Sequence, residues 1–332
     1  MPMKVPIDSG LNFIDQNGHR MKDFVLLPLI RAVEDMTDQG ATPKFNWPSV
    51  DIVTDRGRLR KLLGWALGES DKWRIDTQLA GTSTVLLTGR APITKETNGR
   101  STSYGFNFEE ASTYPAPGLE EETSHHRIIT YVCLVLVLER LDPQRCQNFG
   151  GLKMVVRFEV DACLPCDALS TSSSHDSTVL PESGGRPTTG KPSSRLSSNP
   201  HDVKIIRAGS QVPQTHLLEI KTHSRSNPKW ARTYPQLYLS QTPHIYYASH
   251  TKGVFSTVTK YTTGEGYLVS VDQSAREGFK KLRKLLGEIK SLVQRYGATR
   301  ISLVCEGREL KVYRIPEGQI CLPKDALALF VA

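Results

Sequence analysis

The chain has 332 residues, of which 38% are hydrophobic and 23% are charged, as in a globular protein of one large or two modest domains. Lys and Arg number 42 against 34 Asp and Glu, and the resulting net charge of +8 suits a polyanionic partner. Its six Cys are too few for a disulfide framework and favour a reducing, intracellular compartment, nuclear or cytoplasmic. The first residues contain no apolar signal core, and the longest apolar run, residues 128–138, is too short to cross a bilayer. The composition therefore excludes a secreted disulfide protein, a membrane protein and a wholly disordered chain.

The apolar pattern predicts an alternation of helices and strands. Residues 58–67 have the spacing of apolar residues that is typical of a helix. Short runs rich in Val, Ile and Leu predict buried strands. These runs are residues 128–138, Met154–Val160, and residues 217–222, 245–248 and 301–305.

The clearest helix is predicted at residues 274–296. Ser274 is a suitable N-cap, Glu277 completes a capping box, and Gly297 ends the helix. Its apolar residues form one stripe, which predicts a buried face. They are Phe279, Leu282, Leu285, Leu286, Ile289, Leu292, Val293 and Tyr296. The opposite face is basic, and we interpret it as solvated, with contact to an RNA backbone as the alternative. It carries Lys280, Lys281, Arg283, Lys284 and Lys290.

A stretch rich in Ser, Thr, Pro and Gly, residues 164–202, interrupts this alternation. Because it has almost no apolar residues, burial cannot offset the entropy lost on ordering, and we expect a disordered segment. It falls between two predicted core strands. We therefore expect an insertion within one domain, residues 1–332, rather than a linker between two domains.

Acidic residues stand out in three places. Glu159 and Asp161 end an apolar strand and, being two residues apart, face the same side of it. Glu219 and Lys221 have the same spacing on another predicted strand, and Glu109 follows two aromatic residues that we expect to be buried. Charges that continue a buried strand are costly unless they are paired or used. The three segments together therefore predict a site.

The chemistry of these side chains is that of a site for a hard divalent cation. Carboxylates on neighbouring strands are the ligands that Mg²⁺ and Mn²⁺ prefer. Such an ion polarises a phosphoryl oxygen and lowers the pKa of a bound water, and a neighbouring Lys can orient that water. An acidic residue, an Asp-bearing strand and an E-x-K strand, in that order, are the signature of PD-(D/E)XK nucleases.

In this order the segments resemble the motifs of the DXO/Rai-like decapping nucleases, a eukaryotic branch of the PD-(D/E)XK fold that processes RNA 5′ ends. GFNFE, EVD and EIK, at residues 105–109, 159–161 and 219–221, match the family's three acidic signatures. The resemblance spans from about residue 50 to the C-terminus of the chain and includes residues 322–327.

Two further segments carry the resemblance. Residues 52–63 are similar to the family's first motif, in which an Arg, here Arg56, follows a short strand. Residues 235–253 resemble a helix-then-strand segment whose Gln, here Gln236, faces the active site. One departure is His250, in the sequence Ala-Ser-His, where the family typically has Gly-hydrophobic-Arg.

The resemblance implies an α/β fold, with a PD-(D/E)XK nuclease-like mixed central sheet flanked by helices. It also implies that carboxylates and one carbonyl bind one or two divalent metals, Mg²⁺ or Mn²⁺. These ligands are Glu109, Glu159, Asp161, Glu219 and the backbone carbonyl of Ile220. Lys221 and Gln236 would position the water or hydroxide nucleophile, and Arg56 would hold RNA phosphates.

The implied activity is divalent-metal-dependent hydrolysis at RNA 5′ ends. Family members variously remove incomplete or NAD-type caps, release pyrophosphate from 5′ triphosphates and degrade RNA 5′ to 3′. Two alternatives stay open. In the first, the chain is a non-catalytic or weakly active partner that stabilises a larger 5′–3′ exoribonuclease. In the second, it is a DNA-directed nuclease of the same fold.

Overall fold

The computed structural model describes most of the chain, namely residues 2–13, 24–38, 44–89, 94–97, 103–115, 125–131, 149, 151–165, 203, 205, 212–224, 228–316, 318 and 320–331. The strands in this part are β1 (Met3–Lys4), β2 (Gly10–Phe13), β3 (Ile52–Asp55), β4 (Trp73–Ala80), β5 (Thr84–Thr88), β6 (Thr94–Thr97), β7 (His125–Tyr131), β8 (Met154–Val160), β9 (Ala162–Cys163), β10 (Leu217–His223), β11 (His244–Thr251), β12 (Val254–Thr262), β13 (Ile301–Glu306) and β14 (Glu309–Arg314). The α-helices are α1 (Leu27–Asp38), α2 (Arg56–Ala66), α3 (Gly105–Ser112), α4 (Trp230–Ser240), α5 (Tyr267–Tyr296) and α6 (Lys324–Ala328).

Two mixed sheets organise the described residues. The larger has seven strands in the order β14-β13-β4-β5-β3-β8-β7, with β3 parallel to both β5 and β8. The smaller has five strands in the order β1-β12-β11-β10-β9, with β10 parallel to β11. Strands β2 and β6 form a separate antiparallel pair. The predicted α/β class with mixed strands is confirmed, and the two acidic strands, β8 and β10, belong to different sheets.

Three apolar clusters hold these layers together. The largest joins Phe158 of β8 and Leu217 of β10 to helices α2, α4 and α5, so it connects both sheets. A second covers the opposite face of the larger sheet, where Val155 packs with residues of α1 and α6. A third covers the opposite face of the smaller sheet, where Ile220 packs with Phe108 of α3. Alternation along β8 and β10 therefore gives each strand two buried faces.

The predicted strands are confirmed where the structure describes them. Met154–Val160 is β8 as predicted, and the other predicted runs are contained in β10, β11 and β13. Of the run at residues 128–138, the structure describes 128–131 within β7, and the rest lies outside the described residues. The helix predicted at residues 58–67 is α2, which begins at Arg56 directly after β3.

The start predicted for the long helix is wrong, and its end is confirmed. Helix α5 begins at Tyr267, and the Ser274 hydroxyl donates to the carbonyl of Ser270 inside the helix at 2.9 Å. Leu268 is fully buried, so packing supports two more turns than the local capping signal indicates. Gly297, with φ of 56°, follows the last helical residue. None of the helices in the described ranges combines the length and apolar character that a membrane crossing requires.

The Ser-rich stretch connects two neighbouring strands. Most of residues 164–202 lies outside the described residues. On either side of it, β9 pairs with β10 in antiparallel fashion, with Cys163 opposite Leu217. The connection thus leaves and re-enters the same sheet. The single-domain organisation of residues 1–332 stays a prediction.

Candidate active site

The chain passes from the larger sheet to the smaller one at Asp161. This residue lies between the last residue of β8 and the first residue of β9. Its carboxylate accepts a hydrogen bond of 2.8 Å from the backbone N–H of Ile220. The change of sheet therefore brings the end of the EVD segment directly beside the EIK segment of β10.

Glu219 is the centre of the site. Its side chain is only 2% exposed, and the Nζ of Lys221 lies 2.5 Å from Oε1 while the Nη1 of Arg56 lies 3.0 Å from Oε2. Lys221 also reaches Asp161, with 3.2 Å between Nζ and Oδ2, and donates to the carbonyl of Ile220 at 2.9 Å. One ammonium thus bridges two carboxylates that come from different segments of the chain.

Helix α4 presents Gln236 to the same carboxylate. In the amide orientation that satisfies both neighbours, its nitrogen lies 2.8 Å from Oε1 of Glu219 and its oxygen lies 3.3 Å from Nη2 of Arg60. The Ser240 hydroxyl donates to the Gln236 carbonyl at 2.7 Å, one turn further along the helix. The prediction that Gln236 faces the acidic residues agrees with this placement.

Glu109 approaches from the opposite side of the smaller sheet, on helix α3. The helix is anchored by Phe108, which is buried and has its ring centroid 4.2 Å from that of Phe255. Phe106 is only half-buried, so the expectation of two buried aromatics before Glu109 is wrong. The reason is that the segment is helical, and residues two apart share one face of a strand but not one face of a helix.

The carboxylates lie close enough to repel one another. Burial and the charge of Asp161 raise the pKa of Glu109 to about 8, and the charges of Glu159 and Glu219 act in the same direction. Burial and the charge of Glu219 also raise the pKa of Asp161. All four predicted carboxylates therefore belong to one electrostatic cluster.

Two cations offset part of this negative charge. Burial alone would raise the pKa of Glu219, but Lys221 and Arg56 together lower it to about 2. Burial alone would lower the pKa of Lys221, but the charges of Glu219 and Asp161 raise it above its ordinary value. Glu219 is therefore ionised at neutral pH.

The donor set fits a hard divalent cation in its chemistry. Carboxylate oxygens and a backbone carbonyl are the ligand types that Mg²⁺ and Mn²⁺ take, and an added cation would relieve the repulsion that raises the pKa of Glu109. As the side chains stand, no group of three His, Cys, Asp or Glu residues in the described ranges is spaced to hold an ion. The ammonium of Lys221 lies between two of the carboxylates instead.

Arg56 is committed to the cluster itself. Besides Glu219, its guanidinium reaches the Ser240 hydroxyl at 3.5 Å and lies over the ring of Phe158, 5.7 Å from its centroid. Its predicted contact with RNA phosphates stays a prediction.

Arg60 is a site residue that the motifs did not indicate. The available signal was its position four residues after Arg56, which places both on one face of a helix.

His250, where the sequence departs from the family's Gly-hydrophobic-Arg pattern, lies beside the site rather than in it. His250 is buried, and its ring packs between those of Tyr104 and Phe255, with both centroid distances at 4.8 Å. Its Nδ1 accepts a hydrogen bond of 3.4 Å from the N–H of Gly253. At this position the chain has an aromatic packing contact at the end of β11.

Solved structures share this architecture over nearly the whole chain. Rai1 of S. pombe matches with a TM-score of 0.54 and 16% identity, over 95% of this chain and 87% of that one. Scheffersomyces stipitis Rai1, in complex with (3′-NADP)⁺ and calcium ion, matches with a TM-score of 0.54 and 13% identity, over 99% and 96%. Candida albicans Rai1, in complex with pU5-Mn²⁺, matches with a TM-score of 0.53 and 13% identity, over 91% and 80%.

The chain therefore has the mixed α/β fold of the Rai1 structures, and the resemblance read from the motifs is confirmed at the level of the fold. By sequence, the model of a domain of unknown function, DUF8563, matches residues 1–328, and the chain belongs to that family. No curated protein matches the sequence.

Proposed function

We propose that this chain is a divalent-metal-dependent hydrolase that acts at RNA 5′ ends. The observation that carries the proposal is the meeting of Asp161, Glu219 and Lys221 at the junction of the two sheets. Support also comes from the ligands of proteins with this fold, which are pU5 with Mn²⁺ in one Rai1 and (3′-NADP)⁺ with calcium in another. We transfer that class of ligand to this chain as part of the proposal.

The carboxylates and one carbonyl have the role of metal ligands. They are Glu109, Glu159, Asp161, Glu219 and the carbonyl of Ile220. A bound Mg²⁺ or Mn²⁺ supplies polarisation of a phosphoryl oxygen and a water of lowered pKa. A site that concentrates acidic residues within a chain of net charge +8 leaves the remaining surface more basic, which suits attraction of an anionic substrate.

Lys221 and Gln236 orient the attacking water. Both donors lie within hydrogen-bond distance of Glu219, so their positions are set before a substrate arrives. Arg56, held by the same carboxylate, directs positive charge toward the phosphate that is cleaved. Water attacks phosphorus and the bond to the leaving phosphate or nucleoside oxygen breaks. The proposed substrates are incomplete or NAD-type caps, 5′ triphosphates and the first phosphodiester of RNA.

The test is one panel of substrates with the purified chain. RNAs with triphosphate, monophosphate, unmethylated-cap, methylated-cap and NAD-capped 5′ ends are incubated with Mg²⁺ or Mn²⁺, and the released products are identified. We expect Mn²⁺- or Mg²⁺-dependent products from at least one substrate, and their loss in Asp161→Ala and Glu219→Ala. Asp325→Ala is the matched control, because Asp325 pairs with Arg31 on the surface and has no contact with the cluster.

Activity retained in both site variants would remove the metal-site assignment. Matched single-stranded DNA in the same panel separates an RNA enzyme from a DNA-directed nuclease. A wild-type chain that yields no product with either metal but co-purifies with a 5′–3′ exoribonuclease would support the role of a stabilising partner instead.

A further inference from the structure

Two exposed arginines, Arg60 and Arg232, lie beside the acidic cluster. Across the described residues neither guanidinium forms an ion pair with a carboxylate. By contrast, Arg276 on α5 is paired with Asp272 at 3.1 Å. A pair of guanidiniums without a direct carboxylate contact at the edge of a site is suited to receive an anionic ligand.

The two helices place these arginines on the outer side of residues already assigned to the site. On α2, Arg60 comes four residues after Arg56; on α4, Arg232 comes four residues before Gln236. Residues with this spacing lie on one face of a helix, about 6 Å apart along its axis. Helices α2 and α4 pack against each other, so the two faces meet.

Gln236 connects the buried acidic cluster to the exposed arginines. Its amide nitrogen contacts Glu219 at 2.8 Å, and its oxygen accepts from Arg60 at 3.3 Å. Polar groups therefore continue without a break from the buried carboxylate to the exposed guanidinium of Arg60.

The outer guanidiniums also repel the inner one. Burial and the charge of Arg56 lower the pKa of Arg60, the charges of Glu219 and Glu69 raise it in part, and the charge of Arg232 lowers it further. A phosphate placed among them would relieve this repulsion, since its oxygens accept paired hydrogen bonds from the planar fork of an arginine.

We propose that Arg60 and Arg232 form a subsite for the phosphate next to the one that is cleaved. The inference rests on the proposed function, which places the cleaved phosphate at the acidic cluster, and it defines the substrate class as one with at least two successive phosphates. That second phosphate belongs either to a 5′-terminal di- or triphosphate or to the next nucleotide of an RNA strand. Arg60 holds it one helical turn outward from Arg56, and Arg232 holds it from the facing helix.

The experiment measures binding without hydrolysis. Fluorescence anisotropy of labelled single-stranded RNA is recorded in EDTA over a series of KCl concentrations, for the wild type, Arg60→Gln, Arg232→Gln and the double variant. Loss of one phosphate contact should reduce the slope of log K against log salt by about 0.7, so the double variant should lose about 1.4. Arg314→Gln is the control, because Arg314 is also exposed and lies on β14, at the edge of the larger sheet that is remote from β8. We expect its slope to equal that of the wild type.

Probes of one sequence with 5′-hydroxyl, 5′-monophosphate and 5′-diphosphate ends identify the source of the phosphate. If the subsite takes a 5′-terminal phosphate, the effect of Arg60→Gln disappears with the 5′-hydroxyl probe. If it takes the phosphate of the next nucleotide, the effect is the same with all three probes.

Wild-type affinity and slope in the double variant would overturn the inference, as would an equal loss in Arg314→Gln or a wild type that does not bind RNA. Arg60 acting only to hold Gln236 would lower product formation but leave the slope in EDTA unchanged, which also overturns it. Failure of the proposed function is a separate result, since a chain that binds RNA with the expected slopes but releases no product with Mn²⁺ contradicts the activity alone.

Discussion

Two buried arginine–carboxylate pairs lie next to each other at the end of β3, and they differ in their charge balance. Asp55, the last residue of β3, accepts from Arg157 of β8 at 2.7 Å, with side-chain exposures of 18% and 3%. Arg56, the next residue, donates to Glu219 at 3.0 Å, with exposures of 11% and 2%. By geometry and burial alone the two pairs are nearly alike.

Their surroundings separate them. Asp55 and Arg157 are direct cross-strand partners, so the sheet register itself holds one cation against one anion. Glu219 instead shares its cations with other carboxylates, and the pKa of Asp161 and that of Glu109 are raised as a consequence. At the first pair the register places a cation directly against an anion, whereas the second pair lies among further carboxylates and retains an excess of negative charge. An uncancelled, buried charge of this kind is characteristic of sites that bind or react.

The largest effect is expected at Lys221, whose ammonium contacts two of the carboxylates. Lys221→Ala should lower the rate of 5′-end hydrolysis by about 100- to 1000-fold, because a donor that orients water and offsets charge is lost. The rate is measured as kcat with Mn²⁺ on the substrate that the wild type prefers.

Lys290→Ala is its control, because Lys290 is also partly buried and pairs with Asp51 outside the cluster. An equal fall in both variants would show that the effect is general destabilisation. Unchanged kcat in Lys221→Ala would remove the distinction between the two regions.

The next effect concerns the pair formed by Asp55 and Arg157. Asp55→Asn should lower the free energy of unfolding by roughly 3 kcal/mol, because Arg157 keeps a buried charge and loses the carboxylate of Asp55. Adding Arg157→Met should recover part of the loss, since an apolar side chain does not require a counter-charge there. Urea unfolding of the wild type, both single variants and the double variant measures the coupling. Additive losses would mean that the pair does not act as a unit.

The acidic strands were predictable because burial and motif order left a local signal. Continuous apolar runs predicted β8 and β10, and their charged ends predicted Asp161 and Glu219 as neighbours. What no local pattern indicates is that the chain changes sheets at Asp161. The change depends on pairing between β9 and β10, which are separated in sequence by the Ser-rich stretch.

Arg60 and the start of α5 were missed for a related reason. The role of Arg60 depends on the packing of α2 against α4, which brings Gln236 within 3.3 Å of it. Ser274 carries a genuine capping pattern, but burial of Leu268 in the main core extends the helix to Tyr267. In both places a long-range contact outweighs the local preference.

The smallest effect is expected at Glu109. This residue is half-buried, so solvent screens part of the repulsion between its carboxylate and the others. Its pKa is about 8 in the folded chain against an ordinary value of 4.5, so between these values the folded state holds a proton that the unfolded state has lost. Stability contributed by this group therefore falls as the pH rises from 4.5 to 8.

Glu109→Gln has no such group, and its free energy of unfolding in EDTA should exceed that of the wild type increasingly across this window. Urea unfolding at pH 5, 6.5 and 8 measures the difference, with Glu110→Gln as the exposed neighbour that should show none. A difference that stays constant from pH 5 to pH 8 would mean that the pKa of Glu109 is not raised in the folded chain, and the contrast between the Asp55–Arg157 pair and the acidic cluster would then be wrong.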